Sequence, residues 1–330
     1  MKFLIAGLGS IGRRHLRNLV ALGQEDILLY RTHRSTLPED ELAAYPVETD
    51  LAAALAHHPD AVIVANPTAL HMEVALPAAR AGCHLLLEKP IADRVDAQVE
   101  LLRQTAVENQ VRILVGFQFR FHPVLGKIKA LLDSGNLGRV LSFRVHWGEY
   151  LPDWHPWEDY RQGYAARKEL GGGVVNTLCH PLDYVRWLMG EVSSLSAHTG
   201  QVSGLELDVE DVAEIVLSLS NGAIGSIHLD YFQRLPQHSL TIYLEQGQIQ
   251  WNNTSGAVQV YHVSSQPWEE ITPPAGFERN DLFLEEMRHF LSLMRGETQS
   301  RCSLEDGIHI LNLVEAVHES NRLGKRLQLG

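Results

Sequence analysis

Cysteine is scarce in this 330-residue chain: Cys83, Cys179 and Cys302 form an odd, widely spaced set with no CxxC pair. That excludes a disulfide framework and a structural cysteine–zinc site, and it suits a reducing cytoplasm. Long apolar runs are missing as well. Stretches such as 111–115 are of strand length, far below the ~20 residues that a membrane-spanning helix needs. The apolar run 3–6 is broken at once by Gly7 and Gly9 and then by Arg13, Arg14 and Arg17, which makes it too short for a secretory core. Positive charge is in deficit: 28 Lys and Arg stand against 40 Asp and Glu, a formal net charge of -12. Such a balance opposes a nucleic-acid backbone or an anionic membrane as partner. With 45% hydrophobic and 21% charged residues and no repeats, the whole chain is expected to fold, as a cytoplasmic protein of two domains.

From residue 1 to 121, short apolar runs alternate with amphipathic stretches. Strands are expected at 2–6, 27–30, 61–65, 84–87 and 112–115, and helices at 10–22, 51–57, 70–81 and 95–109. This alternation predicts a doubly wound parallel sheet, the α/β Rossmann architecture. Residues 122–330 read differently. Helices near 123–134 and 177–189 bracket a strand at 139–147 and a polar, aromatic loop over 148–168. Alternating strands follow at 213–219, 224–231 and 240–245, with turn signals at Asn221-Gly222 and Gln246-Gly247. Helices near 281–295 and 304–321 close the chain, the second opened by Ser303 and Asp306 in a near capping box. An α+β second domain on a largely antiparallel sheet follows.

The segment Gly7-Leu8-Gly9-Ser10-Ile11-Gly12 fits G-x-G-x-x-G, directly after an apolar strand and at the start of a helix. In such a motif Gly7 takes the tight turn, Gly9 lets a pyrophosphate approach, and Gly12 packs helix on strand, with helix N–H groups aimed at the anion. A dinucleotide cofactor is expected. The acidic residue that would bind the ribose 2′-hydroxyl of NAD about 20 positions on is missing, because the second strand runs on as Tyr30-Arg31-Thr32-His33-Arg34. Either Arg31 and Arg34 accept the 2′-phosphate, so that NADP is preferred over NAD, or they are solvated loop charges.

Glu88-Lys89-Pro90 ends the expected strand 84–87, where open α/β sheets hold their ligands. Together with the glycine motif it resembles the signature of the Gfo/Idh/MocA oxidoreductases, the family of glucose–fructose oxidoreductase and inositol dehydrogenase. Asn66-Pro67-Thr68 with His71 is similar to that family's loop beside the nicotinamide ribose, and the run from Gly116 through Gln118, Arg120 and Pro123 to its crossover into the second domain. Gly171-Gly172-Gly173 followed by His180 and Asp183 is similar to its substrate-side helix. The late strands match its open-faced C-terminal sheet, which implies a homodimer or homotetramer. On this resemblance Gly7, Gly9, Ser10, Ile11, Gly12, Asn66, Pro67, Thr68, His71, Glu88, Lys89 and Gln118 hold the cofactor. Lys89 and His180 are implied as the catalytic pair, and Lys89, Asn176, His180 and Asp183 as substrate contacts; Arg120, able to receive an anionic substituent, and Trp157 and Tyr160, able to stack on a sugar, are expected substrate contacts from their side-chain chemistry.

The family's helix reads Asp-x-x-x-His-x-x-Asp, and here its first position is Asn176. An amide there can orient the imidazole but carries no charge to stabilise imidazolium. Pro181 fits only near a helix start, so His180 belongs in the first turn, where the positive helix end favours a neutral imidazole able to act as a base. Asp183, three residues on, either binds a substrate hydroxyl or pairs with a cation. Cys179 beside His180 has no further ligands at a suggestive spacing, and no metal is expected. The aromatic segment 150–161, with Trp157 and Tyr160, lines either a sugar pocket or a subunit contact.

The expected function is an NAD(P)-dependent oxidoreductase that interconverts a secondary alcohol and a ketone on a sugar, sugar derivative or polyol. Two alternatives stand beside it: an NAD-dependent glycosidase using transient oxidation, and a non-catalytic dinucleotide-sensing protein.

Overall fold

The computed structural model describes residues 1–32 and 40–329, the side chains of 265–267 excepted. Arg34 therefore lies outside the described residues. The chain separates into two compact units, the first holding 1–118, 169–171 and 279–311, and the second 119–168, 172–278 and 312–330.

In the first unit β1 (Phe3–Ala6), β2 (Ile27–Tyr30), β3 (Val47–Glu48), β4 (Ala61–Val64), β5 (His84–Leu87) and β6 (Ile113–Val115) form one sheet in the order 3-2-1-4-5-6. Every pair in it is parallel. Strands buried on both faces need continuous apolar runs, and FLIA in β1 and AVIV in β4 have no exposed residue. Helices α1 (Ser10–Ala21), α2 (Leu51–Ala56), α3 (His71–Arg80) and α4 (Ala97–Glu108) make the crossovers. The two-residue edge strand β3 was not visible in the sequence pattern. The strand order reverses between β1 and β4, and the carboxyl ends of strands at such a reversal are where open α/β sheets hold their ligands.

The second unit contains α5 (Pro123–Asp133), β7 (Val140–Tyr150), α6 (Val174–Thr177), α7 (His180–Met189), β8 (Val192–Gly200), β9 (Val212–Leu219), β10 (Ile224–Asp230) and β11 (Phe232–Leu244), followed by β12 (Gly247–Asn252), β13 (Val258–His262) and β14 (Ser265–Ile271). With β15 (Leu327–Gln328) the strands form one nine-stranded sheet in the order 14-13-12-11-7-10-9-8-15. The expected hairpins are present, β9 with β10 and β11 with β12. The sheet is mixed rather than wholly antiparallel, because β7 inserts between β10 and β11 and runs parallel to β10. The expected single helix over 177–189 is two, since the chain leaves helical hydrogen bonding at 178–179 and α7 starts afresh at His180.

Helix α8 (Arg279–Met294) and the start of α9 (Leu304–Leu323) lie with the first unit. The expected division at residue 121 assigned them to the second domain. The apolar stripe Leu282, Phe283, Met287 and Phe290 is buried, Phe283 carries the Arg14 guanidinium at 4.4 Å, and Asn280 donates to the Asn18 side chain at 2.9 Å. The capping box is closed: the Ser303 N–H donates to the Asp306 carboxylate at 2.9 Å, and the Asp306 N–H to the Ser303 hydroxyl at 3.2 Å. Among the described residues no helix is long and apolar enough to cross a membrane.

Candidate active site

The glycine motif sits at the carboxyl end of β1. Gly7 has φ +92°, and a Cβ there would lie 2.3 Å from the Asn66 backbone nitrogen, so only glycine lets β1 turn this close to the loop after β4. A Cβ on Gly12 would stand 1.9 Å from the Gly7 carbonyl oxygen. Around Gly9 the opposite holds, with nothing within 4 Å of a Cβ position. Helix α1 starts at Ser10 and Ile11 with no side-chain cap and no acidic residue in its first turn. Its leading N–H groups, the open space over Gly9 and the absence of nearby carboxylates in that turn fit the diphosphate of a dinucleotide.

Asn66, Pro67 and Thr68 lead from β4 into a short 3-10 turn at Thr68–Leu70. The Asn66 side chain donates to the Leu70 carbonyl at 2.8 Å, and His71 Nε2 lies 2.9 Å from the Asn66 carbonyl. His71 is 1% exposed, and burial lowers its pKa, so it works here as a neutral internal brace for the loop. Gln118 is buried at the end of the first unit. Arg31, at the end of β2, is also buried, and its N–H donates to the Glu48 carbonyl at 3.0 Å.

Glu88 and Lys89 extend β5. The Glu88 carboxylate lies 2.8 Å from His15 Nε2 and accepts the Lys89 backbone N–H at 3.2 Å. Burial pushes the Glu88 pKa up, but the His15 hydrogen bond and the His15 and Lys89 charges outweigh it and hold the carboxyl below its ordinary value. This pairing fixes the backbone from which the half-buried Lys89 projects. Glu286 of α8 completes a wholly buried group with His15 and Glu88. Burial first, and the Glu88 charge second, push its pKa well above the ordinary carboxyl range. Sequence reasoning missed His15 and Glu286. The signal for Glu286 was a carboxylate inside the apolar stripe of α8; His15 offered none, its partner being 73 residues away.

In the second unit His180 is the first residue of α7 and is 3% exposed. Aromatic rings surround it: Phe119 meets it edge-on at 5.2 Å, and the Trp147 indole stacks on it at 5.6 Å and 26°. The same indole stacks on His238 at 4.0 Å and 8°, and His238 is bonded to the Tyr184 hydroxyl at 3.1 Å. One turn along α7, Asp183 receives Arg120 Nε at 3.1 Å and Nη2 at 2.7 Å, the two side chains 1% and 5% exposed. Two expected substrate contacts thus meet each other. Asn176 donates to the Gly172 carbonyl at 3.1 Å. Trp157 is 67% exposed, and the Tyr160 hydroxyl receives the Glu206 N–H at 3.2 Å. Arg161 is bound to Asp159 at 2.8 Å and to Glu206 at 3.3 Å.

Comparison with known proteins gives the frame for these halves. Residues 1–117 match the model described as "Oxidoreductase family, NAD-binding Rossmann fold", and residues 125–250 match the GFO/IDH/MocA C-terminal domain. An uncharacterised oxidoreductase of Synechocystis sp. is 31% identical over 244 residues, 68% of this chain and 64% of that protein. Levoglucosan dehydrogenase of Pseudarthrobacter phenanthrenivorans is 30% identical over 190 residues, 50% of this chain and 48% of that protein. The matched stretches thus span about half to two thirds of these relatives' own length. The structure of levoglucosan dehydrogenase in complex with NADH superposes with TM-score 0.87 at 21% identity, covering 100% of this chain and 99% of that one. That of the WlbA dehydrogenase from Bordetella pertussis, in complex with NADH and UDP-GlcNAcA, does so with TM-score 0.83 at 25% identity, covering 100% and 99%. With both domain models matched in order along one chain, this protein belongs to the Gfo/Idh/MocA family of NAD-binding Rossmann oxidoreductases.

Proposed function

We propose that this chain is an NAD(P)-dependent dehydrogenase that interconverts a secondary alcohol and a ketone on an uncharged sugar, sugar derivative or polyol, with NADP preferred. The observation that carries the reading is the open glycine cradle at the uncapped start of α1, in the same unit as a lysine held at the end of β5 by the Glu88–His15 pair. When bound, the nicotinamide supplies the hydride chemistry. His180 takes the hydroxyl proton on its imidazole, and the Lys89 ammonium steadies the developing alkoxide. The Trp147 and Phe119 rings fix the imidazole plane, and the Arg120–Asp183 pair anchors the turn that follows it. Arg120 and Arg161 are each neutralised by carboxylates of the fold, which supports an uncharged substrate over a sugar acid. The preference for NADP rests on Arg31 standing where a carboxylate would repel a 2′-phosphate.

The test is to mix the purified protein with NADP+ or NAD+ and a panel of sugars and polyols, and to follow absorbance of the reduced nicotinamide. Turnover with at least one panel member, tenfold or more in favour of NADP+, is expected. Cofactor that binds tightly but is never reduced would contradict a dehydrogenase, and equal or better use of NAD+ would contradict the role of Arg31.

A further inference from the structure

Residues 146 and 147 are neighbours in β7 and point to opposite faces of the nine-stranded sheet. Trp147 faces His180, whereas His146 looks out from the other face, where a second group of polar side chains converges. The parallel register of β7 and β10 sets His146 beside His228, and the antiparallel register of β10 and β9 sets His228 beside Glu214. The two imidazoles stack at 4.5 Å. His228 Nε2 lies 2.9 Å from Asp230 Oδ2, its Nδ1 lies 2.6 Å from Glu214 Oε1, and His146 Nε2 lies 2.6 Å from Gln233 Oε1.

Strand β7 has a glycine where these groups meet. A Cβ on Gly148 would lie 2.2 Å from Asp230 Oδ2 and 2.4 Å from Gln233 Oε1, so both oxygens flank one spot over bare backbone. Asp230 Oδ1 accepts the N–H groups of Phe232 at 3.0 Å and Gln233 at 2.8 Å. Those bonds fix the carboxylate and leave Oδ2 turned toward the imidazoles. The His146, His228 and Asp230 ligand atoms all lie within 4.8 Å of one another. Donors at ~2.1 Å from a tetrahedral zinc ion are about 3.4 Å apart, so small side-chain rotations bring these atoms into range.

We propose that His146, His228, Asp230 and Gln233 bind one divalent cation of the zinc type on the outward face of this sheet, with Glu214 orienting His228 from behind. Two nitrogens and two oxygens suit such an ion. A carboxylate on the far nitrogen of a ligating imidazole is the usual outer-shell partner of zinc histidines, fixing both tautomer and ring plane. The two carboxylates, Asp230 and Glu214, balance the ion's charge. Arg144 precedes His146 by two residues on the same strand face, and the Arg234 guanidinium is stacked on Tyr150 at 3.6 Å. The ligands come from β7, β10 and the start of β11, which is why no spacing in the sequence displays them.

The test uses the full chain, stripped with a chelator and dialysed. Titration with zinc chloride by calorimetry is expected to show one ion per chain, and cobalt(II) in its place to give the intense visible bands of a tetrahedral N/O site. His146→Ala and Asp230→Asn are expected to weaken binding a hundredfold or more, and Glu214→Gln about 10- to 100-fold with the cobalt spectrum kept. A stoichiometry well below one, a weak octahedral cobalt spectrum, or binding unchanged in His146→Ala would each overturn the proposal. The wild-type cobalt spectrum decides the matter even where a variant folds poorly.

Discussion

The glycine cradle of the first unit is made of backbone and of side chains that are missing, whereas the face around His180 in the second is made of large side chains in contact. At Gly7, Gly9 and Gly12 the chain's own atoms either forbid a Cβ or leave room for a ligand. Around His180, a cluster of four aromatic or imidazole rings (Phe119, Trp147, His238 and Tyr184) and one buried ion pair set the position of a single helix start. The two constructions should fail differently. Changes in the cradle are expected to act on cofactor binding, and changes around His180 on folding and on the chemical step.

The largest effect expected is on rate. Lys89→Ala should lower kcat about 10²–10⁴-fold while leaving the melting temperature close to wild type and the cofactor still bound, because β5 is held by its apolar run and Glu88 by His15. A near-normal kcat would show that Lys89 takes no part in the chemical step.

Next comes stability in the second unit. Asp183→Ala leaves the Arg120 guanidinium buried without its carboxylate, which costs about 3–5 kcal/mol, measured by chemical denaturation. A cost below ~1 kcal/mol would show that the pair is solvated and does not anchor α7.

Two buried groups give opposite pH signatures. Burial lowers the pKa of His122, one residue before α5, to about 4, against about 6.5 in an unfolded chain. The unfolded chain takes up a proton that the fold refuses, so stability is lost as pH falls from about 6.5 toward 4, by up to about 3 kcal/mol. His122→Gln should flatten that limb. Glu286 has the reverse sign: its folded pKa is raised by burial and by Glu88, so its contribution is lost as pH climbs above the ordinary carboxyl range. Glu286→Gln should therefore stabilise the protein at neutral pH, and a destabilised variant would show that the carboxyl is ionised in the fold.

The smallest effect concerns the cradle. A Cβ at Gly9 meets no protein atom, so Gly9→Ala should fold normally yet bind cofactor about tenfold or more weakly, roughly 1.4 kcal/mol. Unchanged affinity would place the diphosphate elsewhere.

Much of the first unit was legible in the sequence, because its signals are local. Apolar runs of four, a glycine motif and a strand-end Glu88-Lys89 each lie within a few consecutive residues. The second unit's strands and hairpins were legible for the same reason. The insertion of β7 between β10 and β11 was not, since it depends on which strand edges meet in space. Nor was the meeting of Arg120 with Asp183, or of His15 with Glu88 and Glu286, where the partners are far apart in the chain. Helix α8 had a readable apolar stripe but nothing in it to say which unit it joins.

The most direct test of the division between a backbone cradle and the proposed side-chain catalytic face is to measure cofactor binding and cofactor reduction on one sample of His180→Asn, beside wild type. Wild-type affinity for NADPH together with a rate of nicotinamide reduction about 10²–10⁴-fold lower is expected. Reduction at the wild-type rate would contradict this, and would leave His180 as a packed residue of the aromatic cluster.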